Sequence, residues 1–214
     1  MTQTVTLFTE FAPAERVSDE KIEVQNQYFL DIPLLHQIFD AVPDIILILN
    51  EHRQIVFANS ALSKALGLKE VREAYGLRPG ELLNCAHAYK NAAGCGTTEF
   101  CKNCGAVQAI LLSLQGQTAI RECRITQQSG EALDLQVSTN PITVNDEQFL
   151  VFALKDISDQ KRRRTLERIF FHDLLNMVGG LQGFTEFLRE VHQNGQLNSV
   201  ELDYILDSVH KCLY

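Results

Sequence analysis

The sequence predicts an α+β fold, with a five-stranded antiparallel sheet carrying helices on one face, followed by an all-α helical hairpin. Two β-rich runs precede a block of short helical segments, and three further β-rich runs follow it. Short polar turns connect the runs within each group, which favours antiparallel pairing. Beyond residue 160 the apolar residues recur every three or four positions, the spacing of an amphipathic helix. The chain of 214 residues therefore divides into a mixed domain and a helical one.

The N-terminal segment, residues 1–35, is predicted to be a loose leader followed by a helix. Residues 1–16 carry little periodicity. From Val17 to Phe39 the apolar residues fall roughly on one helical face, although Pro33 must end or bend that helix.

The sheet is predicted from five strand-like runs, which are residues 44–50, 55–59, 118–128, 131–142 and 147–157. In the fourth run Leu133, Leu135 and Val137 alternate with polar residues, as in a strand with one face in water. Between the second and third runs the sequence predicts short helices over 60–68 and 68–77, and an amphipathic helix over 106–117. Gly67 is the expected C-cap of the first of these helices.

This order of elements resembles the PAS fold. The residues that carry the resemblance are 41–67, AVPDIILILNEHRQIVFANSALSKALG, and 152–158, FALKDIS. In PAS domains a terminal Asp-Ile-Thr/Ser turn leads into a signalling helix, and Asp156-Ile157-Ser158 matches that turn. The resemblance covers roughly residues 36–158, and it implies a sensor domain there.

The helical part, residues 159–214, is predicted to be a dimerisation hairpin. Its first helix has a seam of apolar residues, namely Leu166, Phe170, Leu174, Met177, Leu181, Phe184, Leu188 and Val191. A second helix is predicted from Asn198, with residues 192–198 as the hairpin and Glu201 completing a capping box. One hairpin cannot cover both of its faces, so we expect a parallel homodimer through residues 160–214 that forms a four-helix bundle.

The run from Phe170 to Asn176, FFHDLLN, resembles the H-box of the dimerisation and phosphotransfer domain of sensor histidine kinases. The resemblance implies that His172 accepts a phosphoryl group and passes it to an aspartate on the receiver domain of a response regulator. It also implies that Asp173 polarises His172 and that Asn176 orients water for dephosphorylation of the regulator. The simpler alternative is an exposed histidine on an ordinary dimerisation helix.

A glycine-rich nucleotide lid and an N-box asparagine do not occur in the 214 residues. Alone, this chain is therefore not expected to bind ATP, which would enter through a domain not present here. The sequence favours a piece of a longer kinase over a module that is phosphorylated in trans.

A cysteine-rich insert, residues 81–105, is the second candidate site. Cys85, Cys95, Cys101 and Cys104 have the spacing C-x9-C-x5-C-x2-C, which is consistent with a tetrahedral metal site. Zinc is the first expectation and an iron–sulfur cluster the second. Thiol–disulfide switching and buried thiols without a ligand also remain open.

The histidine of the insert and the two remaining cysteines have simpler explanations. His87 would substitute as a ligand if Cys85 is not one, but a surface residue or a residue that supports a ligand is the favoured interpretation. Cys123 and Cys212 are predicted to be core residues. A haem or a flavin in the pocket also remains possible, although no histidine is convincingly placed for haem.

Charge and hydropathy exclude some classes of function. A net charge of −8 argues against a nucleic-acid-binding surface, and the lack of a long apolar run argues against membrane insertion. With no signal peptide, we expect a cytoplasmic sensor whose cysteine site controls phosphorylation of His172. The main rival is a non-catalytic sensory or dimerisation adaptor whose cysteines hold a structural zinc ion. Clustered cysteines disfavour a cysteine-nucleophile enzyme, since a catalytic cysteine usually stands alone with a histidine.

Overall fold

The computed structural model describes residues 7–194 and residue 207, and the chain divides after Ser158 into two compact units. The helices and strands are α1 (Asp19–Leu30), α2 (Pro33–Asp40), β1 (Ile45–Asn50), β2 (Ile55–Ala58), α3 (Ser60–Leu66), α4 (Pro79–Leu82), α5 (Gly105–Leu114), β3 (Ala119–Thr126), β4 (Ala132–Val144), β5 (Glu147–Asp156) and α6 (Ser158–Asn194). Short 3-10 turns occur at Val71–Ala74, Ala86–Tyr89 and Glu99–Asn103.

The five strands form one antiparallel sheet in the order β2-β1-β5-β4-β3. The sheet confirms the predicted α+β, PAS-like fold. In β4 the buried residues Leu135, Val137 and Thr139 alternate with more exposed ones, as the sequence predicts. The Thr139 hydroxyl donates a hydrogen bond to the Ala109 carbonyl of α5, at 3.1 Å, which ties the sheet to that helix.

The expectation of helices on only one face of the sheet is wrong. Helices α3 and α5 cover one face, where the larger core contains Leu47, Ile110 and Phe152. Helix α1 covers the other face, where Phe29 packs edge-on against Phe149 with ring centroids 5.1 Å apart. Strands β1 and β5 are apolar on both faces, so each face needs a cover.

Two predicted helices differ in detail. The helix expected over 17–39 is two helices, α1 and α2, because Pro33 starts a new helix. The helix expected over 68–77 is only a 3-10 turn over Val71–Ala74. Gly67 caps α3 with a φ of 66°, in the left-handed region, as predicted.

The turn Asp156-Ile157-Ser158 joins β5 to α6. The Asp156 carboxylate accepts a hydrogen bond from the Ser158 amide at 2.8 Å, and the Ile157 amide donates to the Asp134 carbonyl at 2.9 Å. Helix α6 continues to Asn194, past the start of the predicted hairpin at His192. Apart from Asp207, the second helix predicted from Asn198 lies outside the described residues. None of the described helices is both long and apolar enough to cross a membrane.

Candidate functional site

The four cysteines singled out by their spacing line one cavity of about 280 Å³ in the N-terminal unit, Met1–Ser158, which is called the sensor unit below after its predicted role. They are Cys85, Cys95, Cys101 and Cys104. They come from the chain between α4 and α5, where Cys101 and Cys104 belong to one 3-10 turn and its cap. All four are free thiols. The cavity continues inward to apolar residues of the core, Ile110, Phe152 and Leu154.

Local structure explains how the cysteines reach the cavity. Cys85 pairs with Gln127 in an isolated antiparallel bridge just beyond the end of β3. Cys95 packs against Gly80, where an added Cβ atom would lie 2.6 Å from the Cys95 sulfur. Cys101 lies in the last 3-10 turn, and Cys104 is the residue that precedes α5. Glycine at position 80 is therefore required for the observed position of Cys95.

His87 also lines the cavity. Its ring stacks on Phe100, with centroids 4.4 Å apart, and Lys90 lies 4.1 Å above the same phenyl ring. The buried Nδ1 atom of His87 has no hydrogen-bond partner within the described part of the chain. Burial, assisted by Lys90, lowers the pKa of His87. A neutral imidazole is thus available at the cavity wall.

Burial raises the pKa of the cysteine thiols, but neighbouring groups oppose it at Cys104. It raises the pKa of Cys95 to about 12, and it also raises the pKa of Cys85. The neighbouring Cys123 thiol lowers the pKa of Cys104, and the amides of Val107 and Ala106 lower it further. Cys95 and Cys85 are therefore protonated at neutral pH, and a metal that bound them would displace protons.

The described residues contain no group of three or more His, Cys, Asp or Glu side chains that meets closely enough to hold one metal ion. The four thiols instead surround an open volume. This arrangement differs from a closed zinc site, in which four ligands lie about 2.3 Å from one ion.

A buried arginine, Arg78, stabilises the wall behind Cys95. Its guanidinium has five N–H groups, and hydrogen bonds run from it to five backbone carbonyls. The acceptors are Ala14, Glu15, His52, Ala93 and Cys95, at 2.8–3.3 Å. Arg78 therefore holds together the leader, the β1–β2 turn and the loop that carries Cys95. Burial lowers the pKa of Arg78 to about 9, so it stays charged at neutral pH.

A second buried arginine, Arg53, lies beside the first. Its Nη2 donates to the Pro13 carbonyl, and its buried Nε–H has no partner among the described residues. Burial lowers the pKa of Arg53, whereas Cys95 and Cys101 act in the opposite direction. Two buried positive charges thus stand close to the thiols of the cavity.

The leader forms part of this wall. The amides of Glu10 and Ala12 donate to the carbonyls of Thr97 and Gly96, at 2.8 and 3.0 Å. The sequence does not predict these contacts of the leader, because backbone amides make them. Hydrogen bonds from the backbone leave no pattern of side chains in the sequence. The two arginines were also missed, since a lone Arg in a polar stretch reads as a surface residue.

Cys123 contacts one cysteine of the cavity, although it does not line the cavity itself. Its sulfur lies 3.5 Å from the Cys104 sulfur. The contact raises the pKa of Cys123, and burial adds to that effect. The prediction that Cys123 is buried is confirmed, but its sulfur–sulfur contact could not be predicted from an isolated position in a strand.

The second candidate site lies on α6. The His172 side chain is 72% exposed, with Asp173 Oδ1 at 3.3 Å and Asn176 Nδ2 at 3.2 Å from its Nδ1 atom. Only one of these contacts can be a hydrogen bond in a given tautomer. With Asp173 as acceptor, Nδ1 carries the proton and Nε2 keeps its lone pair for reaction.

The predicted seam of α6 is apolar and accessible. Six of its residues are exposed in the described chain, namely Leu166, Phe170, Leu174, Met177, Leu181 and Leu188. A single helix that exposes so many large apolar side chains needs a partner to cover them.

Comparisons with known proteins concern the sensor unit. The PAS domain of nitrogen regulation protein NR(II) from Vibrio parahaemolyticus is 20% identical, with a TM-score of 0.43 over 59% of this chain and 100% of that one. A PAS domain of an HTR-like protein from Haloarcula marismortui is 16% identical, with a TM-score of 0.40 over 58% and 95%. A PAS domain from a two-component sensor histidine kinase is 12% identical, with a TM-score of 0.41 over 59% and 96%.

Among curated proteins, none matches this chain. Residues 34–101 match the family model described as a PAS domain. That segment runs from α2 to the CxxC turn and includes three of the four cavity cysteines. This part of the chain is therefore similar to the PAS domain family, in agreement with its fold.

Proposed function

We propose that this chain is a sensory and phosphotransfer module of two-component signalling. In this proposal the state of the cysteine cavity controls phosphorylation of His172, which then passes the phosphoryl group to an aspartate on a response regulator. The observation that carries the proposal is the environment of His172. An exposed imidazole has a carboxylate at one nitrogen and leaves the other nitrogen accessible.

The chemistry follows from that geometry. Asp173 accepts a hydrogen bond from Nδ1–H, so the Nε2 lone pair is free to attack the γ-phosphorus of ATP. A bond forms between Nε2 and phosphorus, the bond to the bridging oxygen breaks, and ADP leaves. The nucleotide must be presented by an ATP-binding domain supplied elsewhere, and the exposure of His172 gives such a domain access.

The exposed seam of α6 supports a homodimer through residues 160–214. Covering its apolar side chains with a second copy would stabilise both helices. The turn at Asp156-Ile157-Ser158 connects the sensor unit directly to the helix that bears His172. In the proposal, a change at the cavity biases the conformation of that helix and so the accessibility of His172.

We further propose that Cys85, Cys95, Cys101 and Cys104 hold a metal centre. Four thiolates around a divalent ion or an iron–sulfur cluster leave a net negative charge, which costs free energy when buried. Arg53 and Arg78 supply buried positive charge beside Cys95, which offsets that cost. An iron–sulfur cluster fits an open cavity better than the zinc ion favoured by spacing, because each cysteine can bond a different iron.

Phosphorylation in trans tests the main proposal. The full chain is incubated with the ATP-binding domain of a histidine kinase and γ-labelled ATP, and acid-labile label on the chain is measured. We expect His172→Gln to remove the label completely, while His192→Gln, on the same helix, retains it. Absence of label on the unmodified chain with several such kinase domains would favour the non-catalytic adaptor.

A separate measurement tests the metal centre. Anaerobically purified chain is analysed for iron, zinc and acid-labile sulfide, and its visible spectrum is recorded. We expect iron, sulfide and cluster absorption, all lost in Cys101→Ser but kept in Cys123→Ser, because Cys123 is not among the residues that line the cavity. A colourless protein with stoichiometric zinc would show that the centre is a zinc site and not a cluster. A metal-free protein would refute the proposed metal centre.

A further inference from the structure

A pair of thiols, Cys104 and Cys123, is set apart from the other cysteines by direct contact of the two sulfur atoms, 3.5 Å from each other. Cys104 precedes α5, and Cys123 lies in the middle of β3. Cys104 is partly exposed, whereas only 3% of Cys123 is exposed. An oxidant can therefore reach the pair from the side of Cys104.

Gly105 explains why the two sulfurs meet. An added Cβ atom at Gly105 would lie 2.0 Å from the Glu122 carbonyl oxygen, so only glycine lets the start of α5 rest on β3. This close approach places residue 104 opposite residue 123. The pair is thus determined by backbone packing and not by a flexible loop.

The CxxC spacing suggests a different partner for Cys104, namely Cys101. In the structure the Cys101 sulfur instead contacts the Thr98 hydroxyl at 3.2 Å. Cys101 also lies inside a 3-10 turn, while Cys104 follows it. These contacts therefore favour Cys123 over Cys101 as the partner of Cys104.

We propose that Cys104 and Cys123 form a reversible disulfide when the chain meets a hydroperoxide. The Cys104 thiolate attacks one oxygen of the peroxide bond, which gives a sulfenic acid on Cys104 and releases water or an alcohol. The Cys123 thiol then attacks the Cys104 sulfur, a sulfur–sulfur bond forms, and water leaves. The two thiols together lose two electrons and two protons, and the hydroperoxide is reduced.

This disulfide has a consequence for the cavity. It withdraws Cys104 from the four thiols that line the cavity, so a metal centre bound by all four and the disulfide exclude each other. Formation of the disulfide itself does not depend on the metal proposal. The disulfide proposal and the metal proposal can therefore be refuted independently of each other.

Peptide mapping tests the pair. The full chain, as purified and after removal of metal with a chelator, is reduced, treated with stoichiometric hydrogen peroxide, alkylated, digested without reductant and analysed by mass spectrometry. In the chelator-treated chain we expect a linked peptide pair containing Cys104 and Cys123 that a thiol reductant separates, whether or not the chain as purified holds metal. Cys101→Ser and Cys212→Ser should keep that link as matched controls.

Cys123→Ser gives the complementary result. We expect the link to disappear and the sulfenic acid on Cys104 to accumulate, where a dimedone probe traps it. A dominant Cys101–Cys104 link in the unmodified chain, or no oxidation of Cys104, would overturn the proposal. If Cys123→Ser does not fold, mapping of the unmodified chain still decides between the two partners. Metal content of Cys123→Ser, measured in parallel, reports on the metal centre alone.

Discussion

Replacing Arg78 by methionine is expected to lower the free energy of unfolding of the sensor unit by about 4 kcal/mol. Methionine fills much of the same space but donates no hydrogen bond. Five backbone carbonyl groups, on three separate segments, would lose their donors. The leader and the loop of Cys95 would then be held less firmly to the β1–β2 turn, so metal binding should fall as well.

Urea denaturation measures this effect, with two variants for comparison. Arg78→Lys keeps the charge but has three donors without the planar fork, so its loss should be intermediate. Arg72→Met is the matched control, because Arg72 is exposed. Its Nη2 atom lies 3.6 Å from Glu23 Oε1 in a surface ion pair. Its effect should stay below about 1 kcal/mol. Equal stabilities for Arg78→Met and Arg72→Met would contradict the role given to Arg78.

Gly105→Ala is expected to destabilise the sensor unit by about 3 kcal/mol or more, since it must push α5 away from β3. The added methyl group would meet the Glu122 carbonyl oxygen at 2.0 Å and the Arg121 Cβ atom at 3.3 Å. The first neighbour is backbone and cannot move without disturbing the sheet. The same shift separates Cys104 from Cys123, so the disulfide proposed above should form less readily in this variant.

Gly130→Ala provides the control for Gly105→Ala. Gly130 lies in the β3–β4 turn with a φ of 89° and nothing within 4 Å of an added Cβ atom. Its replacement therefore costs only the strain of the left-handed region, about 1–2 kcal/mol. Thermal unfolding of both variants makes the comparison. A smaller loss for Gly105→Ala than for Gly130→Ala would mean that α5 does not approach β3 as closely as described.

Local patterns were enough to predict much of this fold. The alternation through Leu135 and Val137 indicated a strand with one buried face, and the structure confirms it. Gly67 as a C-cap and the long helix after Ser158 were predicted in the same way. Each of these features depends on residues that are close in the chain, where side-chain period and backbone conformation are directly linked.

The candidate sites were predicted unevenly, for the same reason. His172, Asp173 and Asn176 are neighbours on one helix, so their proximity follows from helical geometry. The shared cavity of the four cysteines was expected from their clustering within twenty residues, although their arrangement around an open volume was not.

The sequence by itself determined the order of strands and helices, the exposed seam of α6 and the identity of the clustered thiols. Only the tertiary structure decided that Arg53 and Arg78 are buried beside Cys95, that Cys123 meets Cys104, and that α1 covers the second face of the sheet. These three features depend on contacts between segments far apart in the chain. Such contacts are selected by packing and by the pairing of buried polar groups, which no short window of residues encodes.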